Sequence, residues 1–228
     1  MKNTLGRNII IGALITLLGL SAWQVSRLLW KNEIIAKLDA EYAKTPQNYI
    51  YNFNALNKLG REETPIRYGQ VKGEFNHAQT MLFGPKPHEG EMGYHVLTPL
   101  NMVGGSVLVH RGWISKENKK SLDNDISLAS TEIIGMMRRP QWNSFTPNNS
   151  PENDVWSKLD IEEIAGVHKI ANIAPVILYA ETKTNEKIIP QIEKWYPRNK
   201  HLYYAIFWFT MALALLAVIV KYQRQQKI

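Results

Sequence analysis

Cysteine is absent from all 228 residues. Its absence excludes disulfides, zinc–thiolate centres, iron–sulfur ligation, covalent c-type haem attachment and thiol nucleophiles. It does not fix the compartment, because a disulfide-free domain can also sit in an oxidising one. The usual catalytic signatures are missing too: there is no G-x-S-x-G, no H-E-x-x-H and no phosphate-binding loop. No internal repeat or low-complexity tract is evident. Acidic residues number 20 against 27 basic ones, an excess that at first suggests nucleic acid as a partner. The tails 1–8 and 221–228, however, hold five basic residues and no acid, which leaves 22 basic against 20 acidic residues between them. So even a balance is no nucleic-acid footprint. The chain is expected to be neither an enzyme nor a nucleic-acid binder.

What the sequence does have is two long apolar runs. The first, "IIIGALITLLGLSAW" from Ile9 to Trp23, is uncharged and extends through "QVSRLLW" to Trp30 with Arg27 as its one charge. Arg27 can snorkel to an interface. A cleavable signal peptide is the alternative reading, but Leu20 stands where a small residue is wanted before Ala22; Gly19 with Ser21 fits better. Retention as an anchor is the working expectation. The second run, Tyr203 to Val220, has no charge across 18 residues. At 1.5 Å per residue it covers roughly 27 Å, close to the hydrocarbon thickness of a bilayer. Lys2 and Arg7 precede the first run, and Lys221, Arg224 and Lys227 follow the second. The positive-inside rule then puts both tails in the cytoplasm. Basic residues also stand on the outer flanks, at Arg27, Lys31, Arg198 and Lys200. The expected division is tails 1–8 and 221–228, transmembrane helices 9–30 and 201–220, and an external domain 31–200. An N-terminal tail too short for a transit peptide points to a multi-pass protein of a bacterial inner membrane, with its main domain in the periplasm.

Between the anchors, "KNEIIAKLDAEYAK" has Ile34, Ile35, Leu38 and Tyr42 at helical spacing and is ended by Pro46. A short helix is expected over 55–59, stopped by Gly60. From Pro65 the character changes to strands: "IRYGQVKGEF", "TMLFG", "GYHVLTPL", "GSVLVHRGWIS", "TEIIGMMRR" and "APVILYAE". "NMVGG" reads as a hairpin loop between the third and fourth of these. "SKENKKSLDND" and "TPNNSPEND" read as polar loops. Asp160 with Glu163 resembles a capping box that opens a brief helix ending near Gly166. The expected fold is a membrane protein with two transmembrane α-helices flanking a β-rich α+β domain, an antiparallel sheet or small barrel.

Two features of that domain invite a functional reading. His95 and His110 lie on neighbouring strands and are able to meet across a hairpin as a metal pair, though a slip of one residue would separate them. Met81, Met92 and Met102 are scattered and make no copper motif. Arg111 alternates with Val107, Val109 and Trp113 and on a regular strand shares their face. There its guanidinium either braces the sheet or meets a partner.

The ordered set "GYHVLTPL", "VLVHRGWI", "GMMRRP", "NNSPENDVWSKLD", "PVILYAE" and "RNKHLYYAIFWF" resembles the surfeit locus protein 1 family, from about Ile9 to Val220. The resemblance implies an assembly factor for a haem–copper terminal oxidase, cytochrome c oxidase, with a large loop outside a two-helix anchor. It also implies haem a as cofactor or cargo, oxidase subunit I as recipient, membrane lipid as surroundings and a haem a synthase as a candidate donor. This chain departs from the family pattern at two places. His110 replaces the usual Asn before Arg-Gly-Trp, and Lys200 replaces Asn or Glu between Asn199 and His201.

A helix starting near Asn199 puts His201, Tyr204, Ala205 and Trp208 on one stripe. The resemblance makes His201 the expected haem-iron ligand, with Tyr204 and Trp208 packing the ring and Arg198 with Lys200 near the propionates. Trp23 and Trp30 would close the other side. The alternative for these rings is an ordinary aromatic belt. Tyr94, Arg111 and Trp113 are the expected partner-binding residues, and no catalytic residue is assigned. Two other functions stay in view: a scaffolding chaperone that never binds haem, and an externally facing hydrolase.

Overall fold

The computed structural model describes residues 4–124, 130–151 and 156–225. Its contacts divide the chain into two units, Met1–Leu38 with Trp195–Ile228, and Asp39–Lys194.

The first unit holds two helices. Helix α1 runs from Thr4 to Tyr42 without a break, so the two helical segments expected on either side of Trp30 are one. No proline or helix-ending glycine stands between them, and straight-chain residues there lose little entropy in a helix. Helix α2 (Phe53–Leu59), the short helix expected over 55–59, and helix α3 (Ile161–His168) belong to the second unit, and helix α4 (His201–Gln225) to the first. Both α1 and α4 are long and apolar enough to cross a membrane.

The second unit is built on one six-stranded sheet: β1 (Ile66–Phe75), β2 (Met81–His88), β3 (Glu91–Met102), β4 (Gly105–Ser115), β5 (Thr131–Arg138) and β6 (Ile173–Ala180). The strand order is β1-β5-β6-β4-β3-β2. The sheet is mixed, because β4 and β6 run parallel; the wholly antiparallel sheet that the sequence suggested is corrected at this pair. Strands β4 and β6 are separated in sequence by β5 and α3, a connection long enough to return the chain in the same direction. The end of β1 also pairs with β3, at Glu74↔Asn101 and Phe75↔Leu100. The sheet therefore curls far enough to bring the end of β1 back against β3.

Period-2 alternation gives the sheet two apolar faces. One face carries Val71, Leu100, Val107, Val109, Ile133, Met137, Val176 and Leu178, packed under Phe53, Leu56 and Leu59 of α2. Asn52 caps α2 by accepting a hydrogen bond from the Ala55 amide at 2.9 Å. The other face carries Met81, Leu97, Leu108 and Ile177 under Trp156 and under Ile161 and Ile164 of α3. Asp160 caps α3 by accepting from the amides of Glu162 and Glu163. The Glu163 carboxylate does not complete a reciprocal box; it accepts instead from Asn149. Lys169, in the left-handed region at φ 53°, ends this helix beyond Gly166. "NMVGG" is the hairpin loop between β3 and β4, and "TPNNSPEND" lies partly outside the described residues.

A bulge governs how β4 presents its side chains. Val96 pairs with Gly112 and Leu97 with His110, so Arg111 is the extra residue. Gly112 takes φ 132°, and a Cβ there would run into the Ile189 carbonyl. Trp113 pairs with His95, and cross-strand partners share a face. The bulge thus separates Trp113 from the Arg111 face that regular alternation assigned to both.

The same bulge brings His95 and His110 together, with ring centres 4.7 Å apart. They form the middle of a stripe across five adjoining strands. Phe83 lies 6.3 Å from His95, Tyr179 lies 5.1 Å from His110, and the Arg138 guanidinium sits 3.8 Å over the Tyr179 ring. Burial pushes His95 down to about 4, with Lys86 and His88 adding repulsion. It pushes His110 down to about 3, with His95 and Arg138 acting in the same direction. Both Nδ1 atoms are buried without a hydrogen-bond partner. Among the described residues no group of three His, Asp or Glu side chains is placed to hold a metal ion.

These neutral histidines make the domain sensitive to acid. In the unfolded chain each protonates near pH 6.5, whereas in the fold each resists protonation until about pH 4 and 3. Stability is therefore greatest above pH 6.5, falls as pH drops toward the folded values, and levels off below them. The loss reaches about 1.4 kcal/mol per pH unit per histidine. Thermal melts from pH 7.5 to 4.5 should show this slope in the wild type and a shallower one in His110→Asn; equal slopes would contradict it. Gly112→Ala should cost roughly 2–3 kcal/mol through backbone strain and collision. Asp160→Ala should cost only about 1 kcal/mol through the lost cap. Chemical unfolding of the two variants checks the order.

Candidate functional site

The first unit brings three polar pairs together between α1 and α4. The Ser21 hydroxyl donates to the Ala205 carbonyl at 3.0 Å. The Gln24 amide oxygen lies 2.7 Å from His201 Nδ1. The Asn199 side-chain amide donates to Asn32 Oδ1 at 3.0 Å. These pairs order the two helices antiparallel, because residue numbers rise on one as they fall on the other.

The buried positions explain why the contacts form there. On α4 the least exposed residues are His201, Ala205, Trp208, Ala212, Leu215 and Ile219, a seam with alternating steps of four and three. On α1 the corresponding seam passes through Leu17, Ser21, Gln24 and Leu28. Ala205 and Ala212 are small enough for the backbones to approach, and both are buried. Gln24 is 9% exposed and is the most buried polar side chain described on either helix.

The residues expected to form the haem site divide between this seam and its surroundings. His201 opens α4 and sits half-buried on the seam with Trp208. Tyr204 lies off it, 46% exposed and edge-on to Tyr203. Trp208 is edge-on to Phe207. Arg198 and Lys200 are exposed in the segment before the helix. Trp23 and Trp30 face outward; Trp30 lies under the Arg27 guanidinium at 4.5 Å, with the Lys31 ammonium at 5.2 Å. The stripe of His201, Ala205 and Trp208 is thus the face that α4 turns toward α1. Gln24 escaped the sequence reading, although an amide inside an apolar run is a signal in itself.

In the second unit the hairpin residues are placed as follows. Arg111 is 1% exposed, on an interior strand. Its Nε donates to Thr184 Oγ1 at 2.9 Å and its Nη2 to the Thr184 carbonyl at 3.2 Å, and the guanidinium lies 4.8 Å from the Phe75 ring. Trp113 is 5% exposed, donates from Nε1 to the Lys86 carbonyl at 2.9 Å and packs against His88. Tyr94 is half-buried beneath Lys119. Arg111 therefore ties β4 to the loop at Thr184, and Trp113 ties it to β2, both from within the fold.

The chain has relatives among known proteins. The SURF1 family model matches residues 11–213. A SURF1-like protein of Rickettsia felis is 30% identical over 219 residues, covering 91% of this chain and 92% of its own. A SURF1-like protein of Dictyostelium discoideum is 24% identical with the same coverage. Surfeit locus protein 1 of Homo sapiens is 27% identical, covering 88% of this chain and 71% of its own. A family match running through both helices and the whole sheet leaves one conclusion: this chain belongs to the SURF1 family.

Proposed function

We propose that this protein is a membrane-anchored, non-enzymatic assembly factor for cytochrome c oxidase, which takes up haem a at His201 and presents it to nascent subunit I. Family membership supports the oxidase assignment. The observation that carries the haem assignment is the seam: His201 is the only histidine of the helix-pair unit, and its Nδ1 is already engaged by Gln24. A neutral imidazole with one nitrogen hydrogen-bonded and the other bare is the ordinary state of an axial haem ligand.

Haem a is cargo in this reading, and the residues present fit it. Exposed Tyr204, on the side of α4 next to His201, offers aromatic surface to the ring. Exposed Arg198 and Lys200 offer cations for the propionates. Trp208 and Ala205 contribute from the seam by fixing α4 against α1. The apolar tail of haem a suits the surrounding lipid. A haem a synthase is the natural donor, since haem a is too apolar to travel freely. With the tails cytoplasmic, the sheet domain of a bacterial member lies in the periplasm. There the β3–β4 hairpin, braced by Arg111 and Trp113 and bearing Tyr94, serves as the docking surface.

The closed seam also favours a second reading, in which the helix pair is a scaffold that holds subunit I without touching haem. The two separate in cells producing His201→Ala. Haem delivery predicts that subunit I still co-purifies with the variant while its haem a content falls several-fold. Haem a content equal to wild type, with co-purification intact, would contradict delivery and leave the scaffold.

A further inference from the structure

The Gln24 amide oxygen faces His201 Nδ1 at 2.7 Å. An amide oxygen only accepts, so Nδ1 carries a proton, and in the neutral ring that tautomer leaves the lone pair on Nε2. We propose that Gln24 is the positioning residue of this site, fixing His201 as the Nδ1–H tautomer so that Nε2 is the atom presented to haem iron. The inference rests on the haem reading above and adds to it a residue on the other helix.

Three observations carry it. Gln24 is 9% exposed on a helix of membrane length, where a buried amide is costly unless its partner is in the protein. That partner is a histidine, the one side chain whose ligating atom is chosen by what its other nitrogen meets. Gln24 is also not the only pair crossing the seam: Ser21–Ala205 and Asn32–Asn199 stand on either side of it. Those two bonds cross between the same segments without Gln24, so its loss takes the partner from His201 while other interhelical bonds remain.

Acceptors of this kind hold a ligating imidazole in its plane and raise its basicity, and their loss typically lowers metal affinity about 10–100-fold. An acceptor of greater negative charge would push more electron density to the ring and favour the oxidised iron.

The test uses the full chain in detergent, labelled with 15N at histidine, as wild type, Gln24→Leu and Gln24→Glu. His201→Ala identifies the signal to follow. NMR should show His201 as the Nδ1–H tautomer in wild type and a shift toward Nε2–H in Gln24→Leu. Titration with haem a should then show affinity lowered about 10–100-fold in Gln24→Leu at an unchanged melting temperature. Gln24→Glu should restore the affinity and lower the midpoint potential. An unchanged tautomer in Gln24→Leu would overturn the proposal, as would wild-type affinity alongside a changed tautomer. Failure of the wild type to take up haem a would instead overturn the haem reading, and the tautomer signal alone would decide whether Gln24 positions His201. Should Gln24→Leu fail to fold, the comparison of wild type with Gln24→Glu carries the test through the potential.

Discussion

A polar side chain inside a bilayer has no water to turn to, so its partners must come from the protein itself. The helix pair obeys this constraint at Ser21 and Gln24, and His201 is held by it. Ser21 and Gln24 on α1 meet Ala205 and His201 on α4, and Asn32 meets Asn199 just before α4. Small residues at 205 and 212 let the backbones come close enough for those bonds to form. Remove the closeness and the polar groups are stranded; remove the polar groups and little selects this register over its neighbours, since lipid is as apolar as leucine. The histidine is thereby held in one orientation.

The sheet domain meets a different constraint, set by one extra residue. The bulge at Arg111 and Gly112 shifts the phase of β4 halfway along its length. Arg111 then stays on one face with Phe75 and Thr184, while Trp113 moves to the other with His88 and His95. The ring stripe from Phe83 to Tyr179 depends on that phase, as does the burial that keeps both central histidines neutral. His110 stands where the family resemblance implies asparagine, and its ring fills a place between His95 and Tyr179. Its role follows from packing.

Much of this was legible in the sequence because it is local. Alternation located all six strands, paired glycines located the β3–β4 loop, and Asp160 marked the start of α3. The apolar runs marked both long helices and the order of the elements. The parallel pairing of β4 with β6 was not legible, since nothing local to either strand states which neighbour it will choose. The bulge was hidden too: a single arginine before Gly112 looks like regular alternation until a partner strand fixes the register. The site was half legible. His201 and Trp208 were placed on one stripe by helical spacing, whereas Gln24 is separated from His201 by 177 residues and is tied to it only by the packing of α1 on α4. Tyr204 lies off that seam, since a stripe drawn at i, i+3, i+4 and i+7 is wider than the strip the partner helix covers.

The central claim, that His201 holds haem a, is tested most directly by an optical spectrum. Wild-type and His201→Ala chains would be purified in detergent from cells that make haem a, with folding checked by circular dichroism. The account predicts a Soret band in the wild type that is lost from a folded His201→Ala variant. A band of equal strength in both would place the ligand elsewhere, and no band in either, with haem a present in the cells, would contradict haem delivery by this helix pair.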